Sequence, residues 1–265
     1  GHRHREQLHR SGHFAYYEKA RQRYDGLKVV TYPGNGLQLL GHQQLWPESV
    51  RGRHLLLLNN DVEVVNGDWL TELLRQCAHP GGAAICGAML WYPDETIQHA
   101  GIVTGLGGYA GHSHKYKKKG GSGYLFRTST VQDFSGVTGA CLLVKTAVYD
   151  KMHGLDEQFA VAFNDVDFCL RVRDAGYRIA WTPYAELIHY ESKSRGGDEK
   201  DPVKAARFAA EQQRLYTIHG KENILDDPYY NPNLTRDRED FSESDDLRRL
   251  KEGRVTVRFR GGTLQ

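Results

Sequence analysis

Residues 54–64, His-Leu-Leu-Leu-Leu-Asn-Asn-Asp-Val-Glu-Val, constrain this chain more than any other stretch. Four consecutive leucines cannot alternate between a dry and a wet face, so they predict a strand covered on both sides, as in a parallel α/β sheet. The run stops on two amides and a carboxylate. In such sheets ligands bind beyond the carboxyl ends of the strands. Asn59, Asn60 and Asp61 are therefore candidates to hold a hard divalent cation through oxygen, and phosphate through the cation. The plainer alternative is a polar strand end entering a turn.

Composition narrows the partners. The 265 residues carry 35 Lys and Arg against 33 Asp and Glu, so no global field argues for nucleic acid or for a membrane surface. Cys77, Cys86, Cys141 and Cys169 stand singly in apolar surroundings without a CxxC pair, as reduced core residues of a cytoplasmic protein do. No apolar run approaches the roughly 20 residues that span a bilayer, and no signal peptide is read. Peripheral association with the inner face of the plasma membrane stays open.

The first dozen residues alternate His2, His4 and His9 with Arg3, Arg5 and Arg10, leaving little to bury; disorder is expected over a histidine metal site. A short helix is expected over 14–23 and a strand over 27–31, followed by the Pro33-Gly34-Asn35-Gly36 turn. Residues 37–46 fit neither period. After Asp61, Trp69, Leu70, Leu73, Leu74 and Cys77 recur at helical spacing, with Asp68 suited to the positive end of that helix. Residues 83–90, AAICGAML, read as a second buried strand, and strand-helix-strand in that order implies a right-handed crossover and a parallel pair.

Residues 92–134 are glycine-rich and contain Lys115-Tyr116-Lys117-Lys118-Lys119. The lysines are expected in a solvated basic loop, with an acidic acceptor or a lipid headgroup as the alternative. Gly136, Thr138, Gly139 and Ala140 then precede another buried strand, the pattern expected where backbone approaches a ligand closely.

In residues 163–176, Val166, Cys169, Leu170 and Arg173 share one helical stripe, Asn164 suits the N-cap and Gly176 the stop. Asp165 and Asp167 fall in the first turn. There the helix dipole favours negative charge, and a carboxylate can take a proton from a hydroxyl nucleophile; stabilising the helix is the competing role. Residues 177–181 and 185–190 read as short strands flanking Pro183, with His189 at the exit of the second. A lone histidine there is more often structural than a ligand, and its candidacy rests on pairing with Asp61, since imidazole plus carboxylate oxygen is a workable set for manganese or a similar ion. Residues 192–197, with Arg195, are a flexible basic loop able to fold over phosphate oxygens. A helix is expected over 203–218 with Ala205, Phe208, Leu215 and Ile218 inward, and a charged tail beyond Asp226.

The series LLLLNNDVEV, IQHAGI, VTGACLLV, FNDVDFCLRVRDAGYRIAWTPYAELIHYES and DPYYNPNL resembles the family 2 glycosyltransferases, and among them the bacterial enzymes of surface-polysaccharide and rhamnan assembly, over residues 27–238. The resemblance implies an α/β GT-A fold with a mostly parallel central sheet and flanking helices. It also implies inverting transfer of a sugar from a nucleotide-diphosphate donor to a glycan or lipid-linked acceptor, with a divalent metal, manganese or magnesium. By the same resemblance Asp165 matches the catalytic base, although Asn164 replaces the usual preceding acid. Asp61, His189 and Asn59 match the metal site. Asn60, Glu63, Thr138, Gly139 and Arg195 fall to the donor, and Asn164 and Asp167 to the acceptor.

The implied organisation is a basic, histidine-rich segment over 1–26, the transferase domain over 27–225 and a tail over 226–265. Family members open with a strand-helix-strand that binds the nucleoside, and this chain starts after most of it. Weak or absent transferase activity of the chain alone is expected, with a non-catalytic binding remnant as the alternative. With suitable codons, residues 4–11 and 36–46 read one nucleotide later give peptides resembling the family's own, which favours a shifted reading frame over an evolved histidine-rich arm. A nucleotidyltransferase would need a glycine-rich lysine motif near the start, and none is seen.

Overall fold

The computed structural model describes residues 52–190 and 201–245, together with Lys19, Gln22, Arg23 and the backbone of 258–259 and 262–263. The chain divides into two compact units, Gly1–Ser49 and Val50–Gln265. In the first, Lys19, Gln22 and Arg23 are helical and exposed, within the helix expected over 14–23. The strand expected over 27–31, residues 36–46 and the loop 192–197 lie outside the described residues.

The second unit is built on a seven-stranded sheet. Its strands are β1 (His54–Leu58), β2 (Val62–Val64), β3 (Ile85–Trp91), β4 (Ile97–His99), β7 (Gln132–Asp133), β8 (Cys141–Lys145) and β9 (Ile179–His189), while β5 (Ile102–Thr104) and β6 (Ala110–His112) form a separate hairpin. The order is β1-β8-β3-β9-β2, with β4 on β3 and β7 on β9. Only β3 and β9 pair in parallel; every other pairing in this sheet is antiparallel. The expected mostly parallel sheet is thus corrected to a mixed one. β1 and β3 do run the same way, but β8 lies between them and is antiparallel to both. That insertion is a long-range choice which local periodicity does not record.

It also alters the leucine run. β1 stands at the end of the strand order, and its leucines alternate: Leu55 and Leu57 are buried, Leu56 is half-buried and Leu58 is 43% exposed. The strand buried at every position is β3. Against the sheet packs α1 (Trp69–Ala78), whose Leu73 and Cys77 join Leu90, Leu143 and Leu187 in one core cluster. Leu73 is fully buried, so Leu73→Ala costs about 2–5 kcal/mol. All four cysteines are free and buried. Burial pushes the Cys77 thiol up to about 11 and those of Cys141 and Cys169 to about 12.

Two short strands expected around Pro183 are one. β9 runs through the proline, and its register against β3 jumps between the Ala88–Thr182 and Met89–Glu186 pairs. Proline has no N–H for a ladder, so it sits in the bulge.

The short helix α2 (Thr146–Lys151) follows β8, and α3 (Asn164–Asp174) is buried well beyond the expected stripe, including Phe168 and Val172. Phe163, with φ of 63°, holds the N-cap position expected of Asn164, which is instead the first helical residue. In α4 (Pro202–His219) the Asp201 carboxylate accepts from Val203 N. Leu215 is buried and Phe208 half-buried, but Ala205 is exposed and Ile218 43% exposed, so the inward face is narrower than expected. α5 (Lys221–Leu225) follows.

Residues 226–245, expected as a tail, are packed. Asp227 is fully buried and its carboxylate accepts from Thr104 N (2.7 Å), Thr104 Oγ1 (3.1 Å) and Tyr229 N (2.7 Å). Tyr230, Leu234 and Phe241 are buried with it. Charge pattern alone hid this, because a few aromatic anchors among many acids suffice to hold a segment down.

Candidate active site

The end of β1 is fixed by Asn59 N donating to Ala140 O at 3.0 Å, and the β2–β9 ladder sets Val62 opposite His189. Asp61 and His189 meet as a result: Asp61 Oδ1 lies 3.2 Å from His189 Nε2, and Asn59 Nδ2 lies 3.3 Å from the same nitrogen. His189 is 5% exposed, and both Asp61 Oδ1 and His189 Nδ1 are buried atoms without a hydrogen-bond partner. With the Asn59 amide donating to Nε2, that nitrogen and Asp61 Oδ1 face each other as two electron-rich atoms. A cation relieves this. Oxygen from Asp61 and imidazole nitrogen from His189 suit manganese or magnesium, which commonly take one or two protein ligands and complete their shell with substrate phosphate and water. Among the described residues no group of three or more His, Cys, Asp or Glu is placed to hold a metal by itself. Asn60 and Glu63 are exposed beside the pair, and Tyr190 OH donates to Glu63 Oε2 at 2.6 Å.

A second carboxylate is tied to the same sheet edge. Gly139 N donates to Asp165 Oδ2 at 2.8 Å, while Val166 N donates to Oδ1 at 2.9 Å. Asp165 N donates in turn to Asn164 Oδ1 at 2.7 Å. The turn 138–140 therefore holds Asn59 through one carbonyl and Asp165 through one amide. Small residues let it lie this close: a Cβ on Gly136 would stand 3.1 Å from Cys169 Cβ, and one on Gly87 would strike Val137 at 2.5 Å. Asp165 stays half-buried, with its carboxylate oriented by two N–H groups.

Asp167, two residues on, is different. It is 1% exposed. Arg171 Nε and Nη2 donate to its Oδ2 at 2.9 and 2.7 Å, and its Oδ1 lies 2.8 Å from His219 Nε2. Burial raises its pKa, but the hydrogen bonds from His219 and Arg171 outweigh that and hold its carboxyl below the usual range. The expected contact with an acceptor is corrected: both oxygens are committed to α3 and α4, and solvent does not reach them. Arg195 lies outside the described residues.

His99, in the IQHAGI motif, is a site residue that its local sequence does not announce. It is fully buried, and its Nε2 accepts from Gly101 N (3.3 Å) and Thr138 N (3.4 Å). Its Nδ1 lies 3.1 Å from His112 Nδ1. Burial first, then the nearby His112 and His189, hold its pKa well below the ordinary value. A neutral ring accepting at Nε2 carries its proton on Nδ1, so His99 donates to His112 and seats the 138–140 turn from behind. A lone buried histidine in an apolar stretch gives no local signal of such a role. Glu211 likewise escaped notice: it is buried and accepts from Val161 N and Ala162 N, fixing the approach to α3.

Comparison with known proteins adds the following. No family model matches the chain. It is 47% identical over 192 residues to the uncharacterized protein y4gI of Sinorhizobium fredii, a match covering 72% of this chain and 21% of that protein. It is 37% identical over 185 residues to the O-antigen biosynthesis protein RfbC of Myxococcus xanthus, covering 69% and 14%. Over 80 residues it is 32% identical to an N-acetylglucosaminyl-diphospho-decaprenol L-rhamnosyltransferase of Mycobacterium tuberculosis, covering 30% and 24%. The matched part of each relative is thus a quarter of its length or less.

Proposed function

We propose that this chain carries the catalytic part of an inverting glycosyltransferase of the GT-A, family 2 type, acting in bacterial polysaccharide synthesis at the cytoplasmic side of the membrane. The names of two relatives, one in O-antigen biosynthesis and one a rhamnosyltransferase, support the reaction class. The observation that carries the proposal is the 138–140 turn, which links the Asn59-Asp61-His189 edge to Asp165 through two hydrogen bonds. Donor chemistry and acceptor chemistry need to meet within a bond length, and this turn is what couples their two supports.

Asp61 and His189 would hold the divalent cation with the donor diphosphate, and when bound the cation supplies positive charge to the departing phosphate. Asn59 orients His189. Asn60, Glu63, the backbone of Thr138 and Gly139, and Arg195 lie on the donor side. Asp165, aimed by Gly139 N–H and Val166 N–H, takes the proton of the acceptor hydroxyl as that oxygen attacks the anomeric carbon. One displacement inverts the configuration, so no covalent sugar intermediate is needed. Asn164 and a cleft of about 410 Å³ lined by Tyr109, Lys115, Tyr116 and residues 237–240 would take the acceptor. Tyr109 connects the cleft to the start of α3, packing edge-on against Phe163 with ring centroids 5.5 Å apart.

The test is calorimetric titration of the purified chain with nucleoside diphosphates in manganese, joined to an assay of nucleoside-diphosphate release from nucleotide sugars. Metal-dependent binding that Asp61→Ala abolishes, with release that Asp165→Asn abolishes, is the expected result. A folded chain that binds no nucleoside diphosphate in manganese overturns the proposal.

A further inference from the structure

The lysine-rich loop lends Lys115 and Tyr116 to the cleft above, while Lys117 to Lys119 and the turn beyond them do not line it. Four of the eight described non-glycine residues with positive φ fall here: His114 (57°), Tyr116 (65°), Leu125 (45°) and Phe126 (62°). Left-handed backbone is unfavourable for such side chains and persists only where surrounding structure imposes it. The imposing contacts are present. Tyr124 N donates to His114 Nε2 at 3.0 Å, the His114 ring stacks on Phe241 at 4.1 Å, Thr128 Oγ1 donates to Gly121 O at 2.8 Å, and Ser129 N donates to Phe126 O at 2.9 Å. Arg127 lies over the Phe134 and Phe241 rings behind the turn.

This anchored base holds up apolar side chains that it does not bury. Leu125 is 74% exposed, Phe126 66% and Tyr116 65%. The lysines divide by role. Lys119 is tied back, 3.0 Å from Glu186 Oε2 and over the Trp91 ring, and Lys115 lies over the Tyr116 ring. Lys117 and Lys118 are exposed and form no ion pair with any described residue. Asp94, on the neighbouring turn, is engaged with Thr96 N and Oγ1.

We propose that residues 115–126 are a docking tip for an anionic lipid surface, with Leu125 and Phe126 entering the acyl boundary and Lys117 and Lys118 meeting headgroup phosphates. Two adjacent apolar side chains beside uncommitted lysines match an interfacial anchor in chemistry and in sign of charge. A protein partner fits less well, because interface cores are depleted in lysine and a stable contact needs a larger apolar patch. The proposal stands on this surface alone and does not depend on the transferase activity.

Co-sedimentation of the purified chain with vesicles tests it. The expected result is binding to phosphatidylcholine vesicles containing phosphatidylglycerol, weakened by salt, and little binding to phosphatidylcholine alone. Leu125→Ser with Phe126→Ser should weaken it at least tenfold, roughly, for two lost apolar insertions. Lys117→Gln with Lys118→Gln should weaken it about 25-fold, at about fivefold per lysine. Circular dichroism melts verify folding, and the lysine pair decides should the serine pair fail to fold. Absence of binding to the anionic vesicles, binding indifferent to the lysine pair, or equal binding to neutral vesicles overturns the proposal. So does self-association without vesicles that the serine pair abolishes, which would make the tip an interface between copies.

Discussion

The two sides of the first turn of α3 carry one aspartate each, and they differ in nearly everything but residue type. Asp165 is half-buried and aimed by Gly139 N–H, on the turn whose Ala140 carbonyl also holds Asn59. Asp167 is sealed between Arg171 and His219. In the proposed function the first receives the acceptor proton, whereas the second is committed to the fold. Two residues along a helix rotate a side chain by about 200°, enough to move it from a half-buried position into the core. The same helix thereby carries the proposed base and, two residues on, a carboxylate that ties it to Arg171 and His219.

The largest expected effect separates them by activity. Asp165→Asn should lower nucleoside-diphosphate release by about 10²–10⁴-fold at a stability cost of only about 1 kcal/mol, because its amide nitrogen can no longer accept one of the two N–H groups. An Asp165→Asn variant that keeps its rate would erase the distinction. Asp167→Asn acts in the opposite currency: it leaves Arg171 facing a neutral group in a buried setting and should destabilise the fold by about 3 kcal/mol in urea unfolding.

Arg171→Lys sharpens the clamp side. Arg171 also donates from Nη1 to Met152 O at 2.5 Å and from Nη2 to Gly154 O at 2.9 Å, a fork that an ammonium cannot reproduce. A loss of about 1–2 kcal/mol is expected, read in the same unfolding curves.

The smallest effect is pH dependence. The folded-state carboxyl of Asp167 titrates below its unfolded value of about 3.9, so its stabilising contribution is complete above that value and is lost as pH falls through the lower, folded one. Stability measured from neutral pH downward should therefore fall less steeply below about pH 4 in Asp167→Asn than in the parent. Identical slopes would show that Asp167 is not held as described.

Much of this was legible locally. Helix period placed α1, α3 and α4, and unbroken apolar runs placed β3 and β8, since side-chain spacing is a property of neighbours in the chain. The paired position of Asp61 and His189 followed from two strand ends and the family resemblance, and the ladder between β2 and β9 brings those ends together. His99, Glu211 and the burial of Asp167 were not legible, because each is defined by a partner far along the chain: Thr138, Ala162 and His219.

By itself the sequence determined α1, α3, α4, β3 and β8, that the cysteines go inside, and that Asp61 and Asp165 stand at element ends, all consequences of short-range periodicity. Only the tertiary structure decided that β8 enters between β1 and β3, that the sheet is mixed, that residues 227–241 pack down, and that of two aspartates on one turn one is sealed and the other stays half-buried. The physical reason is the same in each case: strand neighbours and ion-pair partners are chosen by contacts across the fold, and chain spacing fixes only which side chains are available for them.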